Sequence, residues 1–178
     1  MGSGLGGPAR LAATTFGCSV VGVDLTPEYV EAATQLTAWP AVALSGLCAF
    51  HVGDALDLAA VVPSGSVDKA YMLHVGMNIA DKAMLASEIC RVLRPGGKFG
   101  VFDMMAASGA PSALHYPLPF AATAQDCHVS APEVYLDAFA AAGLELVQSV
   151  DQTAPVLQAF GAQKVGGGGG PPSPAPLG

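Results

Sequence analysis

Gly2-Ser3-Gly4-Leu5-Gly6-Gly7-Pro8, followed one helix later by Ser19-Val20-Val21-Gly22-Val23-Asp24, is the stretch that decides the fold. Glycines let a backbone turn tightly and approach a ligand closely. Pro8 suits the first turn of a helix, so residues 8–16 read as helical. Ser19 to Val23 is short, apolar and β-branched, which reads as a strand ending in an acid. Loop, helix, strand and acid in that order form the opening of an α/β unit. A glycine-rich start can also be a flexible leader, and an acid after a strand can be a simple turn residue, so the rest of the chain has to carry part of the argument.

Outward from there the alternation continues. Thr26 and Pro27 open a helix that runs to about Thr37, where Trp39-Pro40 stops it. Residues 48–52 form the next strand, ending at Gly53-Asp54, and Val67 to Leu73 the third. Ala83, Met84, Ile89, Val92 and Leu93 recur at helical spacing over residues 80–93. Arg94-Pro95-Gly96-Gly97 ends that helix, because proline cannot continue it and glycine permits a left-handed turn. Lys98 to Met104 reads as a fourth strand, Pro132 to Ala142 as a helix stopped by Gly143, and Leu144 to Val150 as a fifth strand. Strands separated by helices require crossover connections, so the expected sheet is mostly parallel with helices on both faces. The expected domain covers 1–151. Residues 152–178 are an extension, Gly/Pro-rich and disordered from 164, because that composition has little to bury.

Composition narrows the function. With 52% hydrophobic and 12% charged residues, the chain is too apolar to be disordered throughout. A net charge of -7 without a basic cluster argues against nucleic acid and anionic membrane as main partners. Cys18, Cys48, Cys90 and Cys127 are too far apart to form metal-type pairs, so no metal is expected. Unpaired thiols suit a reducing compartment such as the cytoplasm. No signal peptide is visible, and no apolar run approaches the roughly 18 residues of a membrane helix.

Two carboxylates give the site its chemistry. Asp24 can accept both ribose hydroxyls of an adenosine cofactor. Asp54, ending the neighbouring strand, can accept from an adenine amino group while the Ala55 backbone meets the ring edge. Gly2, Gly4 and Gly7 also satisfy Gly-x-Gly-x-x-Gly, so these features alone leave a nicotinamide-dependent oxidoreductase open.

The ordered set Gly-Ser-Gly-Leu-Gly-Gly-Pro-Ala-Arg (2–10), Val-Val-Gly-Val-Asp-Leu-Thr-Pro-Glu-Tyr (20–29), Val-Gly-Asp-Ala-Leu-Asp-Leu (52–58), Leu-His-Val-Gly-Met-Asn-Ile-Ala-Asp-Lys (73–82) and Arg-Val-Leu-Arg-Pro-Gly-Gly-Lys-Phe (91–99) resembles a class I S-adenosylmethionine-dependent methyltransferase. The nearest branch is that of ubiquinone/menaquinone and sarcosine/dimethylglycine methyltransferases. The resemblance implies a Rossmann-like methyltransferase fold, here lacking the first strand and the seventh. It implies S-adenosyl-L-methionine as cofactor and direct in-line transfer of its methyl group to the N, C or O nucleophile of a small molecule. Gly2, Ser3, Gly4 and Gly6 would line the methionine moiety, Asp24 the ribose, Leu25, Asp54 and Ala55 the adenine, and Leu73 the sulfonium. His74, Met77 and Asn78 would face the acceptor. His74 can act as a general base or only shape the pocket, since a sulfonium is already activated and transfer can rest on positioning. A methyltransferase-derived chain without catalysis is the remaining alternative.

Overall fold

The structure, a computed structural model, describes residues 1–42, 44, 46–107 and 114–165. Helix α1 spans Gly7–Phe16, with Pro8 in its first turn. It buries Ala9 and Ala13, one turn apart, and ends where Gly17 turns left-handed at φ 63° and donates its N–H to Ala13 O. Strand β1 is Val20–Asp24 and helix α2 is Pro27–Ala38, which turns Val30, Ala33 and Thr37 inward. Thr26 occupies the position before α2, but its side chain caps nothing. The Asp24 carboxylate instead fixes the residue before the helix by accepting from Thr26 N at 3.0 Å. Strand β2, Cys48–Val52, pairs in parallel with β1, Val20 opposite Cys48 and Asp24 opposite Val52.

The second half repeats the pattern. Strand β3, Val67–Leu73, runs into a 3-10 turn at Gly76–Asn78. Helix α3, Lys82–Val92, is capped by Asp81, whose side chain accepts from Met84 N at 2.8 Å. Strand β4, Leu93–Phe102, pairs in parallel with β3. It starts earlier than the expected Lys98. Leu93 already pairs with Val67, and the ladder resumes at Lys69 with Lys98 after a register shift, so Arg94–Gly97 bulge out of the strand instead of preceding it. Gly97 is required at this bulge, since a Cβ there would stand 2.8 Å from Arg94 O.

Two parallel pairs, β1-β2 and β3-β4, are therefore separate two-stranded sheets. The chain's first residues reach between them. Met1 N donates to Tyr71 O of β3 and Ser3 N to Val23 O of β1, each at 3.0 Å. The Met1 side chain touches two buried clusters, one around Met72, Leu85, Ile89 and Tyr135, the other around Val23, Leu58, Val62 and Val92. Burial lowers the pKa of the Met1 amino group, partly opposed by Asp24.

Helix α4, Pro132–Ala141, follows. The expected fifth strand does not form. Residues 144–150 adopt no strand, and Leu146, Val147 and Val150 are exposed. A β-branched run needs a neighbouring strand to pair with, and β4 pairs only with β3 among the described residues. The chain divides into two compact units, Met1–Glu145 and Leu146–Gly178. The second unit contains helix α5, Thr153–Val165, which the composition did not suggest and which extends past 164, the expected onset of disorder. Residues 166–178 of the expected tail lie outside the described residues.

Glu88 of α3 ties the segment after β2 to the helix. Its carboxylate accepts from Leu58 N at 2.7 Å and from Arg91 Nε and Nη2 at 2.7 and 2.8 Å. Arg91 also donates to Val62 O at 3.1 Å. The Arg91 hydrogen bonds, helped by Leu58 N–H, hold the Glu88 pKa below its ordinary value of 4.5 against burial, which raises it. A carboxyl whose folded pKa is depressed stabilises the fold fully above its unfolded pKa. That contribution disappears as pH falls through the folded value. Glu88→Gln is expected to cost about 1–3 kcal/mol at pH 7. Urea unfolding should find the deficit shrinking below pH 4.5. An equal deficit at pH 7 and pH 3 would contradict this role.

Candidate functional site

The carboxyl ends of β1, β2 and β3 open on one cleft of about 400 Å³. Ligands of open α/β sheets bind outside such strand ends. Of the residues expected at the site, Gly2, Gly4, Asp24, Leu25, Asp54, Ala55, Leu73, His74 and Asn78 line the cleft. Val75, inside the 74–78 segment expected to contact the acceptor, lines it too, as do Thr26, Tyr29 and Ile79, which were not expected. Ser3, Gly6 and Met77 are placed elsewhere. Met77 is buried behind its loop. Ser3 Oγ is buried and has no hydrogen-bond partner among the described residues. Gly6 lies against the Phe50 ring, where a Cβ would come within 2.5 Å of Cζ.

The glycine loop owes its path to two close approaches. Gly2 turns at φ 61°, and a Cβ on it would stand 2.1 Å from Val75 Cγ2, so only glycine lets the loop cross in front of the β3 end. Gly6, at φ 76°, leads directly into α1 over the Phe50 ring. The first N–H groups of that helix have no intrahelical partner and carry its positive end.

Asp24 joins the loop to the sheet. One carboxylate oxygen accepts from Gly4 N at 2.7 Å, the other from Thr26 N at 3.0 Å. A carboxylate has about four lone-pair sites, so it keeps acceptor capacity toward the cleft. Gly53 N donates to Asp24 O at 2.9 Å, which fixes the β2 end beside it. Asp54 Oδ1 accepts from Leu56 N at 2.9 Å and closes a turn that presents Ala55 to the cleft.

The opposite wall is the segment after β3. His74 has φ 56°, the one positive φ outside glycine among the described residues. Such a conformation costs of order 1–3 kcal/mol and persists where its surroundings over-determine it. Here His74 N donates to Phe102 O at 2.9 Å, and its ring meets the Phe102 ring edge-on at 5.0 Å. Among the described residues the imidazole has an aromatic neighbour and no carboxylate bonded to it, which suits shaping the pocket better than abstracting a proton. Among the described residues, no group of three or more His, Cys, Asp or Glu side chains is placed to hold a metal. No described helix is long and apolar enough to cross a membrane.

Residues 1–101 match the methyltransferase domain family. The 2-methyl-6-phytyl-1,4-hydroquinone methyltransferase of Synechocystis is 38% identical over 103 residues, 58% of this chain and 30% of that protein. The chloroplastic tocopherol O-methyltransferase of Arabidopsis thaliana is 35% identical over 98 residues, 55% of this chain and 27% of that protein. The chain thus matches less than a third of the length of either relative. Among solved structures, geranyl diphosphate C-methyltransferase from Streptomyces coelicolor, determined with S-adenosyl-L-homocysteine, superposes with a TM-score of 0.77 at 22% identity, covering 92% of this chain and 59% of that one. That likeness shows the Rossmann-like methyltransferase fold. The family match spans more than half of the chain, over the same residues that build the cleft, and the chain belongs to the methyltransferase domain family.

Proposed function

We propose that the cleft binds S-adenosyl-L-methionine and serves methyl transfer to a small, largely apolar acceptor. The observation that carries this reading is the convergence of the glycine loop, Asp24 and Asp54 on one cleft at the strand ends. The cradle fits such a group. Gly4 leaves open space at the cleft, where a Cβ would meet nothing within 4 Å, and Asp24 offers spare lone pairs to hydroxyl donors. Asp54 and Ala55 offer an acceptor and a backbone edge for a purine. When bound, the cofactor supplies a methyl group already activated by its sulfonium. The protein's part is to orient and to exclude water. Asp24 and the loop hold one end, and the His74–Asn78 wall confines the other, so that proximity does most of the work.

The acceptor class follows from that wall. Leu73, Val75 and Ile79 line it, and Phe102 and Met104 stand exposed at the end of β4. None of the wall residues that line the cleft is an Asp, Glu, Lys or Arg, which favours an acceptor without a formal charge. The named activities of the relatives, on a phytyl hydroquinone and on tocopherol, support the same class and leave the nucleophile as N, C or O. Calorimetric titration separates the readings. S-adenosylhomocysteine is expected to bind with saturable 1:1 heat, and reduced nicotinamide dinucleotide to give none. The reverse preference would make the chain an oxidoreductase-type binder. Binding without turnover on any apolar acceptor would favour a chain that holds cofactor but does not catalyse.

A further inference from the structure

The loop that forms the acceptor wall is held from behind by a polar cluster that takes no part in the cleft. Lys82 is buried at 6% exposure although it sits at the start of α3. Its Nζ donates to Gly76 O at 2.9 Å, to His128 O at 3.1 Å and to Ile79 O. An ammonium has three donors, and all three are used. The same Nζ lies 5.0 Å from the centroid of the Tyr135 ring. Asp103, just past β4, accepts on one oxygen from Met77 N at 2.9 Å and from Tyr135 OH at 3.1 Å. Burial first, then Asp103, raises the Tyr135 pKa, so its hydroxyl remains a donor. His128 N closes the set by donating to Met77 O at 2.7 Å.

These bonds converge on the back of the 75–79 segment, whose front carries Val75, Asn78 and Ile79 into the cleft. Gly76 is the seat of the cluster. A Cβ there would stand 2.7 Å from Asp103 Oδ2 and 2.8 Å from Tyr135 OH. The left-handed His74 lies immediately upstream, and a strained residue persists only where its neighbours fix it. We propose that Lys82, Asp103 and Tyr135 are positioning residues: they hold the His74–Ile79 loop in the one arrangement that presents its wall to the methyl acceptor. The proposal rests on the methyl-transfer reading for its purpose, and on the loop geometry for its substance.

Two variants test it, Tyr135→Phe, which keeps the ring and loses one hydrogen bond, and Lys82→Met, which loses three. If Lys82→Met fails to fold, Tyr135→Phe decides alone. Amide exchange of Met77, Asn78 and Ile79 is expected to quicken about tenfold in each, with β1 and β2 amides changed less than about twofold. With S-adenosylmethionine and micellar 2-methyl-6-phytyl-1,4-hydroquinone as probe acceptor, kcat is expected to fall about 10–100-fold while the KM for S-adenosylmethionine stays within about twofold. Unchanged loop exchange, or an equal acceleration throughout Met1–Glu145, overturns the proposal, as does a kcat that does not fall. Absence of turnover in the unsubstituted chain counts against the methyl-transfer reading with this probe, and loop exchange then decides the positioning claim by itself.

Discussion

Inserting Val-Leu-Asp-Val between Met1 and Gly2 is expected to raise the melting temperature by about 10 °C or more and to tighten S-adenosylhomocysteine binding. The reason lies between the two sheets. β1 and β3 each present an edge to the same space, and among the described residues only Met1 N and Ser3 N bond across to them. Parallel neighbours lie about 4.8 Å apart, so β1 and β3 can share one extended segment between them. Each buried backbone group left without a partner costs about 1–3 kcal/mol. Pairing the buried and half-buried ones in β1 and β3 would be worth a few kcal/mol, against a typical domain stability of about 5–15 kcal/mol. At about 2–4 °C per kcal/mol for a chain of this size, the shift is easily measured.

The insertion also removes a buried charge. The Met1 amino group has its pKa lowered by burial from an ordinary value of 8.0. The folded state therefore binds this proton less well than the unfolded state, and stability rises with pH between the depressed value and 8.0. In the extended chain an amide replaces the amino group beside Tyr71 O, so that pH dependence should disappear. Calorimetric melts of both chains at pH 6 and pH 8 check both points. Equal melting temperatures would mean that the edges of β1 and β3 gain nothing from a strand between them.

The elements that were legible in the sequence are those set by local chemistry. Val67–Leu73 is a strand over its expected bounds, and Pro8, Pro27 and Trp39-Pro40 mark ends of α1 and α2. The errors came where a distant partner decides. The start of β4 depends on Leu93 meeting Val67, and Leu144–Val150 resembles a strand in composition but pairs with no strand among the described residues. α5 has no apolar stripe, and Val156, Leu157 and Phe160 are exposed, so periodicity gave no sign of it. The glycine loop and the acids after β1 and β2 were legible because each sits in a short motif. Ile79 lies just past the 74–78 segment that the sequence points to, and only the 3-10 turn shows that its side chain faces the cleft while Met77 does not. Lys82, Asp103 and Tyr135 come from α3, the end of β4 and α4, and no sequence spacing links them.

Asp24→Ala is expected to weaken S-adenosylhomocysteine binding by about 100-fold or more. A charge-assisted hydrogen bond is worth about 1.5–3 kcal/mol, and each 1.4 kcal/mol is tenfold in affinity. On the proposed reading, two ribose hydroxyls would lose their acceptor together. Gly4 N also loses the carboxylate that fixes the loop at 2.7 Å, so the substitution loosens the methionine side of the cradle as well. Asp24→Asn, which keeps one acceptor oxygen, should fall between the two. Thermal melts of each variant separate this loss from unfolding, since Asp24 also accepts from Thr26 N at the start of α2. The most direct measurement is calorimetric titration of S-adenosylhomocysteine into the strand-extended chain and its Asp24→Ala form, both confirmed folded at the working temperature. The cleft assigned here predicts 1:1 binding by the first and a loss of about 100-fold in the second. Equal affinity in the two, or no binding by the folded extended chain, would contradict it.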